Sequence, residues 1–181
     1  FLFGGGQGAV RMARPLTGAG NSAVIGLSMT GDVGRADQVV NNSFIVAQYD
    51  VPMTYGGSTL INTNAFLRVS ARQATTGIGD LTLNGGFIQP DSANGQVRMV
   101  APLVIPNDIV MAQDSAIQIQ NTASDVRLNG DLILGAGQTG VVRQLNIGVD
   151  GVNAGNVYLD GGLIDGAGGS LSLGMHRAGF F

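Results

Sequence analysis

Along most of this chain apolar and polar residues alternate in short runs that end at glycine, asparagine or aspartate. Leu81-Thr82-Leu83, Val126-Arg127-Leu128 and Val157-Tyr158-Leu159 each set two apolar residues on one face and a different residue on the other. That period of two belongs to a half-buried strand. In each case a turn dipeptide and a second apolar pair follow. The stretches at residues 79–88 (GDLTLNGGFI), 124–133 (SDVRLNGDLI) and 155–164 (GNVYLDGGLI) align without gaps at offsets of 45 and 31 residues. A shortened echo lies at 169–174 (GSLSLG) and a fainter one at 27–33 (LSMTGDV). The pattern predicts strands with Leu81, Leu83, Val126 and Leu128 inward and Thr82 and Arg127 outward.

A second series is more regular. Leu67-Arg68-Val69, Val97-Arg98-Met99, Val126-Arg127-Leu128 and Val157-Tyr158-Leu159 follow one another at 30, 29 and 31 residues. Repeats of this size, made of short strands, predict an all-β solenoid in which each coil stacks on the last and apolar residues form ladders. Gly, Asn and Asp then occupy corners that call for positive φ. Six or seven coils rising roughly 4.8 Å each make a rod of about 30 Å. The alternative is an antiparallel β-sandwich, because Asn84-Gly85, Asn129-Gly130 and Asp160-Gly161 between apolar runs are also hairpin signals. The solenoid is favoured, since a period near thirty has no reason to exist in a sandwich. One single domain, 1–181, is expected, with 1–50 less regular and 51–175 the repeat region. The one passable helix, over 36–47, is rich in Val and Asn.

Composition sharpens this picture. The nine Lys+Arg positions are all Arg and the twelve Asp+Glu positions all Asp. A chain without Lys or Glu, and with 30 Gly, lacks the usual surface residues of helices. The formal charge of −3 argues against nucleic acid as a partner. Charged residues are 12% of the chain, about half the usual share, which suits a chain that assembles. With no cysteine there are no disulfides or thiolate metal sites. Every apolar run is interrupted too early to span a membrane as a helix. Without a starting Met or a signal pattern, the sequence reads as a mature product or an excised piece.

Tyr55-Gly56-Gly57-Ser58-Thr59-Leu60-Ile61-Asn62, then Ala65-Phe66-Leu67-Arg68-Val69, then residues 77–86, resemble the autotransporter-associated β-strand repeat. In that family a Tyr-x-Gly-Gly-Thr-like turn leads to a strand, and a Gly-x-Leu-x-Leu-x-Gly-Gly strand follows. Residues 107–111, 116–119 and 126–134 look like the linking coils of the same proteins. The match covers roughly residues 55–173. The resemblance implies a right-handed parallel β-helix in exported bacterial surface proteins, serving as stalk or passenger. It carries over no catalytic residue.

Candidate chemistry is sparse. His176 is the one histidine, and no Gly-x-Ser-x-Gly elbow accompanies it. Six of the twelve Asp (Asp32, Asp80, Asp131, Asp150, Asp160, Asp165) adjoin a glycine, and turn chemistry explains that placement. A polysaccharide-cleaving carboxylate pair would fall on Asp160 and Asp165. A calcium site would draw on Asp150, Asp160 and Asp165, although the nine-residue step of a calcium β-roll is absent. Residues 4–8 (GGGQG) lack the Lys and helix of a phosphate loop. No cofactor is expected.

Two features point to partners. Arg68, Arg98 and Arg127, with Tyr158 next in the series, would form an outward stripe if one period equals one coil, a face for an anionic cell-surface glycan. Like charges at such spacing oppose it unless acids intervene. Phe1, Leu2 and Phe3 open the chain and Phe180 and Phe181 close it, so four of seven Phe lie within three residues of an end. Open solenoid edges carrying aromatics predict head-to-tail assembly, an open filament of identical subunits. The expectation is therefore an extracellular or bacterial cell-surface structural protein, not an enzyme: a subunit of a filament, sheath or stalk. The alternative is an adhesin or glycan-binding passenger that uses the Arg/Tyr face.

Overall fold

The computed structural model describes residues 1–3, 8–26, 45–63, 65–69, 76–90, 103–120, 126–134, 142–150, 157–165 and 170–177. Among them the protein is all-β, with no helix. The strands in chain order are β1 (Leu2–Phe3), β2 (Gly8–Met12), β3 (Thr17–Gly18), β4 (Ala23–Ile25), β5 (Ile45–Tyr49), β6 (Thr54–Tyr55), β7 (Thr59–Asn62), β8 (Ala65–Val69), β9 (Leu81–Asn84) and β10 (Phe87–Pro90). They continue as β11 (Leu103–Ile105), β12 (Ile109–Met111), β13 (Ser115–Gln120), β14 (Val126–Leu128), β15 (Leu132–Leu134), β16 (Val142–Asp150), β17 (Val157–Leu159), β18 (Leu163–Asp165) and β19 (Ser170–Arg177).

Every pairing between these strands is parallel, which corrects the antiparallel sandwich. A first seven-stranded sheet runs β1-β4-β7-β9-β12-β15-β18, and a second runs β2-β5-β8-β10-β13-β16-β19. A third position is held by β3-β6 and, further along, by β11-β14-β17. The chain visits first, second and third positions in that order, except that no third-position strand is described between β8 and β9, and each sheet gains one strand per circuit. The hairpin reading of Asn84-Gly85 fails for this reason: β9 and β10 on either side of it belong to different sheets. The proposed helix fails at its end, since residues 45–47 begin β5, where Val and Ile fit a pleated surface. Residues 36–44, the echo at 27–33 and the glycine run at 4–7 lie outside the described residues.

The alternation along each strand becomes a ladder across strands. Ile25, Ile61, Leu83, Met111 and Leu134 follow one another in register in the first sheet, all buried. Ala47, Leu67, Ile88 and Ile117 do the same in the second, and Ile105 and Leu128 in the third. These side chains join in one apolar core. Thr82 and Arg127 face outward as the pattern requires, and only half-buried.

The circuits are not of one length. In the first sheet, successive register partners Phe3, Ile25, Ile61, Leu83, Met111, Leu134 and Asp165 are 22, 36, 22, 28, 23 and 31 residues apart. The corner from third to first position barely varies, with three intervening residues in β6–β7, β11–β12, β14–β15 and β17–β18. Links from first to second sheet range from two residues (β7–β8, β9–β10) to nineteen (β4–β5). The constant period of thirty is therefore corrected: extra residues enter at two corners and leave the third tight.

Candidate functional site

At the tight corner, side-chain hydrogen bonds link one circuit to the next. Asp108 Oδ1 accepts the backbone N–H of Asp131 at 2.8 Å, and Asp131 Oδ1 accepts that of Gly162 at 2.7 Å. Each carboxylate thus holds a backbone group one circuit further on. Asn107, buried beside it, donates from Nδ2 to the carbonyls of Gly77 (2.9 Å) and Gly79 (2.8 Å). Its Oδ1 accepts from Thr76 N (3.3 Å) and Thr76 Oγ1 (3.2 Å). A side chain making these contacts replaces ladder hydrogen bonds that the turn cannot make. Sequence reasoning assigned Asp131 to turn chemistry correctly but passed over Asn107 and Asp108. The signal was present: Asp80-Leu81, Asp108-Ile109 and Asp131-Leu132 each set Asp just before the first inward residue.

Two glycines of this corner serve close approach. A Cβ on Gly130 would lie closer than 3.0 Å to the backbone of Asn107 and Asp108, and one on Gly161 would strike the backbone of Gly130. Positive φ occurs elsewhere, at Gly18, Gly26, Gly77 and Gly85.

The Tyr55-Gly56-Gly57 turn is packed just as tightly. Tyr55 is buried and its hydroxyl bonds to Thr59 Oγ1, which donates to the Thr76 carbonyl. Gly77, at φ +92°, lies against the Tyr55 ring, where a Cβ would overlap the ring carbons. Burial raises the phenols of Tyr49 and Tyr55 above their ordinary 10.0, and the Thr59 hydrogen bond offsets part of this at Tyr55. Below pH 10.0 these phenols are neutral in the folded and the unfolded chain alike; as pH rises above it the unfolded chain ionises first, so folding is progressively disfavoured. The urea midpoint should therefore fall from pH 9 to 11, about these phenols' reference value, and fall less in Tyr49→Phe.

Arg68 and Arg127 do not share a row. Arg68 lies on β8 in the second sheet, between Gln48 and Gln89 in register, whereas Arg127 lies on β14 in the third position. A fixed offset of thirty cannot return to one sheet when circuit length varies. Arg98 is outside the described residues. Arg127 and Tyr158 are brought together as register partners, with the guanidinium carbon 4.4 Å from the ring centroid. Arg127 Nη1 also donates to Asp160 Oδ2 at 2.7 Å, a largely exposed pair that contributes little stability. Asp160 is therefore a corner residue paired to a cation. Asp150 and Asp165 belong to β16 and β18, in different sheets. Among the described residues no group of three or more His, Cys, Asp or Glu could hold a metal ion. His176 lies on β19.

The exposed large apolar residues gather at the sheet edges. Among the described residues they are Phe1, Leu2, Val10, Ile78, Leu159, Leu163 and Ile164. All but Ile78 belong to the first or last circuit. Val10 is in the ladder of Ala47, Leu159 in that of Leu128 and Leu163 in that of Leu132, so three of them are ladder positions left uncovered. Leu163 is 61% exposed where its partner Leu132 is 3%. Phe180 and Phe181 lie outside the described residues.

No family model, curated protein or solved structure matches this chain.

Proposed function

We propose that this chain is a right-handed β-solenoid acting as a structural, non-catalytic subunit of an extracellular filament, sheath or stalk, joined end to end through its apolar edges. The observation that carries this reading is the in-register stacking of buried apolar ladders between parallel strands, with ladder residues left uncovered on the outermost described circuits. An inward position without a covering neighbour exposes apolar surface that another parallel strand would bury, at about 25 cal/mol per Å². The polar groups of the tight corner support it as well, since their hydrogen bonds hold circuit to circuit. The cyclic order of parallel strands supports the solenoid, and the resemblance to the autotransporter-associated repeat supports its handedness and a bacterial-surface setting. A glycan-binding face has less support, because Arg68 and Arg127 lie on different sheets.

Electron microscopy of the purified chain across a concentration series tests this. Seven stacked strands at about 4.8 Å each predict uniform filaments with an axial repeat of about 34 Å. Isolated short rods at every concentration would overturn end-to-end assembly.

A further inference from the structure

Resting on that reading, we infer that the outward face of the first sheet is a lateral interface, on which a second copy of this solenoid packs side by side with its axis parallel. The observation is a row that breaks the alternation. Val24, Leu60, Thr82, Val110 and Ile133 are register partners across β4, β7, β9, β12 and β15. Each lies between two buried residues, so the row faces away from the core. Outward positions of a half-exposed sheet are normally polar, yet four of these five are aliphatic, and all five are only half-buried. Every strand of the row is paired on both sides, so its exposure owes nothing to the ends of the sheet. Outward residues of the second sheet include Arg68 and those of the third position Arg127, whereas this row carries no charge. A contiguous apolar row of this kind marks a surface that a partner covers.

Spacing and charge identify the partner and its direction. A second copy shares the strand repeat of about 4.8 Å, so a contact made at one circuit recurs at the next. Asp80, Asp108 and Asp131 border the row just before β9, β12 and β15. Asn62, Asn84 and Ala112 border it at the other end of the strands, and Asp114 is the one charged residue in the described links from first to second sheet. A two-fold axis along the solenoid sets the acidic border of one copy against the largely uncharged border of the other. It also brings each row residue opposite its own equivalent. An axis across the solenoid would set the three aspartates against themselves, which like charge opposes.

The face is small. Five strands give a row about 19 Å long, and at a width of about 10 Å it falls well below the roughly 800 Å² per partner of a stable interface. Two single subunits therefore part readily. The contact holds where the row is repeated along a filament, and it pairs filaments of one polarity.

The absence of cysteine permits single-cysteine probes. Facing sheets pack about 10 Å apart, so a bismaleimide of that reach should join Thr82→Cys subunits in filaments into covalent dimers. Val24→Cys, two strands away, should cross-link as well, because parallel axes bring it opposite its own copy. With antiparallel axes those two cysteines would lie about 19 Å apart along the row. Val104→Cys, in the third position beside Arg127, should give no dimer. Val110→Arg should abolish the Thr82→Cys cross-link and turn paired filaments into single ones in electron micrographs, with the urea midpoint unchanged. Thr82→Arg, at a position already polar, replaces it in the micrographs if that midpoint falls. No dimer from Thr82→Cys, a Thr82 dimer without a Val24 dimer, an equal yield from Val104→Cys, or filaments still paired in the Arg variant would each overturn this interface, and the filaments themselves would leave end-to-end assembly standing. Cross-linked pairs without filaments would uphold the face and remove end-to-end assembly, and neither filaments nor cross-links would remove both.

Discussion

Leu83→Ala is expected to lower the unfolding free energy by about 2–5 kcal/mol, the range for emptying a well-packed apolar site. Leu83 is fully buried in the middle of the first sheet, in register with Ile61 before it and Met111 after it. Its neighbours are held by parallel strands on both sides, so the cavity cannot collapse by moving one strand. Thr82→Ala, one residue earlier on the outward face, should change stability by less than about 0.5 kcal/mol. Urea unfolding followed by circular dichroism would read both. Equal losses would mean that the inward ladder does not carry the stability of the sheet.

Gly130→Ala is expected to destabilise by about 3 kcal/mol, the upper end for overpacking a tight site. The added methyl would meet the Asn107 carbonyl and the Asp108 nitrogen, which are backbone atoms with no rotamer to change. Relief requires spreading β11 from β14, at the expense of the hydrogen bond between Asn129 N and Ile105 O. Gly85→Ala provides the contrast. Gly85 has φ +81°, so a side chain there is strained by about 1 kcal/mol, but its nearest new contact is the exposed Thr63 side chain, which can turn away. A thermal melt showing Gly130→Ala no worse than Gly85→Ala would mean that the corner is not closely packed.

The two glycines illustrate how far the chain could be read. Both appeared as Asn-Gly after an apolar alternation, and both resemble hairpin turns or positive-φ corners. Gly85 does have positive φ, whereas Gly130 is required by the backbone of the preceding circuit. That backbone is 23 residues away in sequence at Asn107, and no local pattern reports its approach. The aligned copies mislead in the same way. The unit at 79–88 turns from first to second sheet, and the units at 124–133 and 155–164 turn from third to first. Apolar alternation around a small polar corner satisfies either bend, so similarity of sequence did not mean equivalence of place.

Arg127 and Tyr158 show the opposite case. Their offset of 31 residues is a true register partnership, and the predicted neighbour relation is met by a cation over a ring. Arg68 failed because 59 residues separate it from Arg127, and the intervening circuits are shorter and unequal.

The sequence by itself determined the class of structure and the two faces of each strand. Side-chain alternation is a local consequence of the pleat, and the lack of Lys and Glu with abundant Gly leaves little that favours helix. Only the tertiary structure decided which strands stack, because the phase of each circuit depends on the summed length of its corners, and that sum is balanced by hydrogen bonding between strands 20 to 37 residues apart. It also assigned the corner polar residues, whose partners belong to the next circuit and not to their own turn.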